Sequence, residues 1–172
     1  NVGATNVFRV LGKKSGLIVL SLDILKGIIP VVFVCDLLGL AQVMDRIVLS
    51  FCVIIGHNWT VFLNFKGGKG VATSLGVLIG LTIKIVSIRI VLLVTILIWC
   101  FFFVVFGFVS AASLAAAVSL PLIMVATDQS FELVLMGVIF CIFIVIRHKA
   151  NMRRLLAGKE PRVNILSLFK KS

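Results

Sequence analysis

The chain has 172 residues, of which 61% are hydrophobic and only 13% are charged, and its mean hydropathy is +1.25. This is more apolar surface than a soluble domain of this size can bury, so the composition excludes a soluble globular protein. The formal net charge of +11 comes from short polar stretches between long apolar runs, which indicates an integral membrane protein.

Six apolar runs are long enough to be membrane-spanning helices, each of which needs about 20 predominantly apolar residues. In chain order they are residues 15–35, 46–64, 71–88, 90–108, 111–127 and 131–146. They predict an all-α, polytopic helical bundle that forms a single membrane-embedded domain over residues 1–172. Because the chain begins inside a polar motif and without Met, we expect a further N-terminal segment with another helix ahead of it.

The first polar stretch, NVGATNVFR at residues 1–9, combines small residues with hydrogen-bonding side chains. Asn1, Thr5 and Asn6 offer neutral polar groups, and the planar guanidinium of Arg9 suits a phosphate. Asn6 and Arg9 lie one turn apart on a helix, so they can face one ligand. Taken singly, an Asn or Thr near the start of a membrane helix is more often a cap than a ligand contact.

The second polar stretch, DILKG at residues 23–27, places Asp23 and Lys26 inside an apolar run. Each charge alone would cost about 3 kcal/mol there, but at i,i+3 spacing the two can neutralise each other. Pro30 leaves the carbonyl of Lys26 without its helical donor, so we expect the helix to bend just beyond the pair. We favour a supporting role for the pair over catalysis.

The third polar region runs from GHNWTVF at residues 56–62 to FKGGKGVAT at residues 65–73 and contains a glycine-rich loop. Three glycines around one cation let backbone N–H groups approach an anion closely. These residues are Gly67, Gly68, Lys69 and Gly70. The helix that begins near Val71 directs its partial positive charge to the same point, which is a phosphate site in outline.

This glycine loop is not a Walker A motif, because Leu63 stands where that motif needs its first Gly and Gly70 where it needs Ser or Thr. An ATPase is therefore disfavoured. The alternative is a flexible turn between two membrane helices. His57, which precedes the loop, is expected to brace it.

The last polar stretch, RHKANMRRLLAGKE at residues 147–160, repeats polar side chains every third residue. On a helix, His148, Asn151 and Arg154 then share one face, which presents an imidazole, an amide and a guanidinium. A lone histidine at a membrane boundary is more often a solvated side chain than a catalyst. The shared face favours the functional interpretation.

Charge placement predicts the topology, because short loops rich in Lys and Arg stay on the cytoplasmic side. Six crossings bring residues 1–14, the 65–70 loop, the 108–111 turn and the tail from 147 to one end of the bundle. Most of the 17 basic residues lie there, namely Arg9, Lys13, Lys14, Lys66, Lys69, Arg147, Lys149, Arg153, Arg154, Lys159, Arg162, Lys170 and Lys171. We expect that end to face the cytoplasm and to contact anionic lipid head groups.

Together these stretches resemble the bacterial membrane acyl-phosphate:glycerol-3-phosphate acyltransferases. The three family motifs are similar to NVGATNVFR, GHNWTVFLNFKGGKGVAT and HKANMRRLLAGKE here, and DILKG also has a family counterpart. The likeness runs from residue 1 to about residue 162. In the family a Gly-Ser pair stands just before the residue matching Asn1, so the resemblance implies a motif serine and a first helix ahead of this chain.

The resemblance implies acyl transfer from acyl phosphate to the 1-hydroxyl of glycerol 3-phosphate, giving 1-acylglycerol 3-phosphate and phosphate, the first acylation of phospholipid synthesis. It implies a multi-pass protein of the bacterial inner membrane, with its active site facing the cytoplasm and a bilayer containing anionic lipids around it. We expect no metal, no coenzyme and no nucleic-acid partner, and we expect a monomer.

Site roles follow from the resemblance and the residue chemistry together. The residues expected to bind glycerol 3-phosphate are Arg9, Lys69, Asn151 and Arg154, with Asn1, Thr5 and Asn6. Those expected to receive acyl phosphate are Lys66, Gly67, Gly68 and Gly70. Those expected to support the site are Asp23, Lys26 and His57. His148 is the candidate to orient or deprotonate the attacking hydroxyl, although a substrate phosphate is an alternative proton acceptor.

Two other functions remain open from the residues. A transporter of a phosphorylated metabolite would use similar cations, but near the midplane and often with internal repeats, whereas here they lie at one end and no repeat is found. A lipid-binding scaffold would need the basic end, but not three separate motifs rich in Gly and Asn.

Overall fold

The computed structural model describes residues 3–163, and over this range it contains helices and no strand. The elements are α1 (Ala4–Ile29), a π-helical turn (Pro30–Val34), α2 (Cys35–Leu37), α3 (Val43–Asn58), a 3₁₀ turn (Val61–Leu63), α4 (Val71–Lys84), α5 (Ile88–Phe106), α6 (Val109–Ala126), α7 (Phe131–Arg147) and α8 (Lys149–Leu156). The prediction of an all-α membrane bundle is confirmed, and each predicted apolar run contains most of one helix.

The number of full crossings is lower than six by the criteria of length and composition. Within the described range four continuous helices meet them, at Ala4–Leu37, Val43–Leu63, Ile88–Phe106 and Val109–Ala126. α7 meets them only together with α8, from which it is bent by 61°. α4 is apolar but has 14 residues, about 21 Å of helix, which is short for a bilayer about 30 Å thick.

Two glycines allow α4 to pack closely against α1. A Cβ atom on Gly27 of α1 would lie 2.4 Å from the backbone oxygen of Thr73, and one on Gly76 would lie 2.0 Å from the backbone oxygen of Ile24. Only glycine allows two helices to approach this closely. Because Thr73 is in the first turn of α4, this helix starts beside the last two turns of α1.

The first helix is irregular at two points. Regular α-helix ends at Ile29, and the π-helical turn Pro30–Val34 follows, at the place where the sequence predicted a bend. A proline supplies no N–H to the preceding turn, and a wider turn accommodates that loss. The second irregularity, at Gly12 with φ 82°, was not predicted, since an isolated glycine in a helix carries no signal of its own conformation.

The end of the bundle away from the glycine loop is held by an ion-pair cluster. Arg46 of α3 donates to the carbonyl oxygen of Val31 in the π-helical turn, and its Nη2 donates to Asp36 Oδ1 at 2.6 Å. Lys84 Nζ at the end of α4 donates to the other Asp36 oxygen at 2.5 Å. The cluster therefore joins α2, α3 and α4 and fixes their relative height.

The apolar core lies where α3, α4, α6 and α7 meet, and its largest fully buried side chains include Ile54, Leu81, Met124 and Phe140. α5 contributes only two buried residues, and most of its remaining surface is apolar. A helix that is hydrophobic all round and mostly exposed is typical of a helix that faces lipid.

Candidate active site

The polar stretches predicted to share one end of the bundle meet there. Lys69 Nζ donates to Asn151 Oδ1 at 2.5 Å, which joins the glycine loop (residues 67–70) to α8. Arg9 Nη2 in α1 donates to the carbonyl oxygen of Pro161 at 3.5 Å, which is a long contact. The last polar stretch therefore contacts both the glycine loop and α1, which are far from it in sequence.

Glu160 organises the far side of this contact, and its side chain is only 3% exposed. Its Oε1 accepts hydrogen bonds from Asn151 Nδ2 at 2.6 Å and Ser110 Oγ at 2.8 Å, and its Oε2 accepts one from Arg154 Nε at 2.7 Å. Burial raises the pKa of Glu160, but the hydrogen bonds from these donors outweigh it and hold the pKa below its usual value. Glu160 is therefore a buried carboxylate at neutral pH.

Glu160 was not among the residues predicted to form the site. One signal was present, because it is the single acid in a strongly basic stretch. The site thus contains Arg9, Lys69, Asn151, Arg154 and Glu160, which together form the anion site.

Lys69 is the cation at the centre of the anion site. Burial lowers its pKa to about 8, Glu160 opposes that shift, and the neighbouring positive charges of Arg154 and Arg9 add to it. Lys69 therefore lies within the electrostatic influence of several other cations. Lys69 is protonated at pH 7 and is poised to gain an anionic partner.

His148 lies at the junction between α7 and α8 and is only 2% exposed. Its Nδ1 is 2.8 Å from the carbonyl oxygen of Ile144, which can only accept, so Nδ1 carries the proton and Nε2 is left as an acceptor. Burial, followed by the charge of Lys69, lowers the pKa of His148 to about 4. The imidazole is therefore neutral at pH 7 and can accept a proton or a hydrogen bond.

The first half of the glycine loop is held against α3. Gly67 N–H donates to the carbonyl of Asn58 at 3.2 Å, and Gly68 N–H donates to that of His57 at 3.1 Å. Arg147 donates to the carbonyl oxygens of Gly67 at 2.8 Å and Gly68 at 2.9 Å. The N–H groups of Gly67 and Gly68 are therefore used inside the protein. Arg147 fixes the loop, although it was not among the predicted site residues.

The second half of the loop is different. Among the described residues, no acceptor is bonded to the backbone N–H groups of Lys69 and Gly70, which lead into the first turn of α4. Gly70 has φ 77°, and a Cβ atom there would lie 2.7 Å from Asn58 Oδ1. Glycine is therefore required at this position. The N–H donors that remain for an anion begin at Lys69.

The charged residues Asp23 and Lys26 on α1 support the glycine loop through His57. Lys26 Nζ pairs with Asp23, as the spacing predicted, and it also lies 2.5 Å from His57 Nδ1. An ammonium group only donates, so His57 Nδ1 accepts and the ring proton is on Nε2. A Cβ atom on Gly68 would lie 2.0 Å from that Nε2. The cluster thus sets the position of a ring that packs directly on the glycine loop.

Some predicted site residues lie at the margin. Thr5 and Lys66 are exposed, and neither makes a hydrogen bond to the anion site within the described range. Asn6 is in the first turn of α1, where its backbone N–H donates to Gly3 at 2.9 Å. Asn1 lies outside the described residues.

The anion site offers cations and amides but no metal ligands in a cluster. Among residues 3–163, no group of three His, Cys, Asp or Glu side chains is placed to hold a metal ion. The arrangement offers Lys69, Arg9 and Arg154 as cations for a phosphate, and the neutral His148 offers an Nε2 that can accept a hydrogen bond.

Comparison with known proteins identifies relatives that cover nearly the whole chain. The sequence matches the family model described as glycerol-3-phosphate acyltransferase over residues 1–158. It is 41% identical over 162 residues to a protein of that name from Fusobacterium nucleatum, covering 94% of this chain and 79% of the relative. A protein of the same name from Aquifex aeolicus is 39% identical over 165 residues, covering 94% and 81%.

The fold is similar to that of two crystal structures of PlsY (YgiH), an integral membrane glycerol 3-phosphate acyltransferase. The glycerol 3-phosphate form gives a TM-score of 0.85 at 38% identity and covers 99% of this chain and 82% of PlsY. The lysophosphatidic acid form gives a TM-score of 0.83 at 38% identity and covers 99% and 84%.

Proposed function

This chain belongs to the glycerol-3-phosphate acyltransferase family, and we propose that its acyl donor is an acyl phosphate. It is an integral membrane acyltransferase that acts on glycerol 3-phosphate in phospholipid synthesis. In the proposed reaction the 1-hydroxyl of glycerol 3-phosphate attacks the donor carbonyl, forms the new ester bond and expels inorganic phosphate. The product is 1-acylglycerol 3-phosphate.

The observation that carries this proposal is that the last polar stretch contacts both the glycine loop and α1 at the anion site. Both proposed substrates bear phosphate, and the site offers guanidinium and ammonium groups suited to it. In our proposal Arg9, Lys69 and Arg154 hold glycerol 3-phosphate, and Asn151 aligns Lys69. Thr5, Asn6 and Asn1 complete the acceptor side of the site.

The donor is proposed to lie at the start of α4. Its phosphate meets the N–H groups of Lys69 and Gly70 and the positive end of that helix, with Lys66 at the entrance. Gly67 and Gly68 shape the loop instead of donating, because their N–H groups bind α3. The Asp23, Lys26 and His57 cluster supports the loop.

We further propose the setting of the enzyme. A single domain spanning residues 1–172 lies in the inner membrane of a bacterium, with the anion site facing the cytoplasm, where short basic segments are retained. Basic side chains such as Lys149 and Arg153 contact anionic lipids there. We also propose that the enzyme acts as a monomer.

The donor is tested with purified protein that is offered palmitoyl phosphate, palmitoyl coenzyme A or palmitoyl acyl carrier protein, each with and without glycerol 3-phosphate. We expect phosphate release and product only with palmitoyl phosphate, and only when the acceptor is present. Product formed from coenzyme A or carrier protein at a comparable rate would overturn the assignment of the donor while leaving the acyltransferase activity intact.

Replacing His148 by alanine is expected to lower kcat by about 10²-fold, the low end of the usual range for a general base, because a group with a depressed pKa is a weak base. KM for glycerol 3-phosphate should change little. Steady-state kinetics with saturating acyl phosphate measure both constants. Near-normal turnover would remove His148 as the base and leave a substrate phosphate as the proton acceptor.

The affinity for glycerol 3-phosphate is expected to fall in alkaline solution. The pKa of Lys69 is lowered to about 8, so its charge is complete below that pH and is lost as the pH rises through it. The second pKa of the substrate phosphate is about 6, so the phosphate is already a dianion at pH 8. KM for glycerol 3-phosphate should therefore be flat near pH 7 and increase above pH 8.

The matched control for this pH dependence is Lys69→Arg, whose guanidinium keeps its charge throughout this range. Its KM should show no alkaline rise. An identical rise in both proteins would assign the titration to another group.

A further inference from the structure

The segment between α3 and the glycine loop, residues 59–66, is a compact loop whose two ends are joined. Gly67 N–H donates to the carbonyl of Asn58 across its base at 3.2 Å, and Phe65 N–H donates to Thr60 at 3.0 Å inside it. This arrangement is that of an Ω-loop, a class of loop that is often functional. It is termed the aromatic loop.

The aromatic loop exposes two of its rings. Phe62 is 92% exposed, more than any other large apolar side chain in the described range, and Phe65 is 62% exposed. Phe65 has φ 60° and Asn64 has φ 50°. A bulky residue in the left-handed region is strained, so the fold keeps Phe65 in an unfavourable conformation that presents it outward.

The position of the aromatic loop in the chain places Phe62 and Phe65 near both the bilayer and the proposed donor site. The membrane-spanning segment Val43–Leu63 runs directly into the loop, so the rings lie at the boundary of the bilayer. The glycine loop, where we place the donor phosphate, follows immediately in the chain. An amphiphilic donor that binds there must lead its hydrocarbon chain past this boundary.

We infer that Phe62 and Phe65 form the contact surface for the acyl chain of the membrane-dissolved donor, next to the site that receives its phosphate. This inference rests on the proposed acyl phosphate donor. A donor with a long chain can cover the rings, and the burial of apolar surface makes that contact favourable. A short-chain donor reaches the same phosphate site without touching them.

The double variant Phe62→Ser with Phe65→Ser tests the inference, with palmitoyl phosphate and butyryl phosphate as donors in detergent micelles. We expect kcat/KM for palmitoyl phosphate to fall by about tenfold or more, a factor equivalent to about 1.4 kcal/mol. The value for butyryl phosphate should stay unchanged, which also shows that the variant is folded. Leucine at both positions should restore most of the activity with the long donor.

The control is Phe101→Ser, which makes the same chemical change at a ring that is 61% exposed on α5 and should lower neither value. Equal losses with both donors, or no loss with either, would overturn the inference. The latter outcome is the one expected if the rings only anchor the loop in bulk lipid. If the unaltered protein transfers neither acyl group, the donor assignment fails first.

Discussion

Lys69→Ala is expected to lower kcat/KM for glycerol 3-phosphate by about 10²–10³-fold, the usual cost of removing a buried, hydrogen-bonded charge from a site that binds its counter-ion. The loss has two sources. The ammonium group no longer meets the phosphate, and Asn151 loses the partner at 2.5 Å that aligns it. Because the chemistry of the acyl donor does not need this cation for leaving-group activation, most of the effect should be in KM.

The matched control is Lys149→Ala, which removes the same charge from an exposed position at the same end of the bundle. It should reduce kcat/KM by less than about twofold, as expected for a screened surface charge. The initial rates of both variants, measured over a range of glycerol 3-phosphate concentrations, give the comparison. Similar losses in the two variants would mean that Lys69 acts only through the general positive potential.

Glu160→Ala is expected to destabilise the protein by about 3 kcal/mol and to abolish most activity, since it leaves buried donors without an acceptor. Asn151 Nδ2 and Ser110 Oγ both lose their carboxylate partner. Arg154 is partly exposed, with 43% of its side chain accessible, so water offsets some of its loss. The released Asn151 then no longer holds Lys69.

This second prediction is measured as the apparent unfolding temperature in detergent, with activity recorded on the same samples. Asp128→Asn is the control, because Asp128 is exposed at the opposite end and asparagine also tolerates its φ of 51°. A Glu160 variant with unchanged unfolding temperature and activity would show that the carboxylate does not organise the anion site.

The helices could be predicted from the sequence because a bilayer enforces long apolar runs. The length of α4 could not be predicted in this way. This helix packs on α1 through a close backbone approach at Gly27 and Gly76, and hydropathy contains no information about which glycines face another helix.

The functional stretches were visible because polar groups are costly inside a membrane protein and stand out against apolar runs. The sequence correctly indicated that Lys69, Asn151 and Arg154 share an end of the bundle. It did not indicate which N–H groups of the glycine loop were free, because those of Gly67 and Gly68 are used by α3 carbonyls. Hydrogen bonds to backbone atoms leave no trace in residue identity.

Glu160 and Arg147 were missed for a related reason. Each acts on groups that are distant in sequence, Glu160 on Ser110 and Arg147 on the glycine loop. In a basic stretch an arginine is expected for topology alone, and a single acid is expected to be solvated. Only their burial and partners distinguish them from surface charges.

The most direct test of the account is calorimetric binding of glycerol 3-phosphate to the purified protein and to Arg9→Ala, Lys69→Ala and Arg154→Ala, without donor. If one site is built from all three segments, each variant should weaken Kd by about tenfold or more, at about 1.4 kcal/mol per tenfold. Unchanged binding in all three variants would show that these segments do not form a common site for the acceptor.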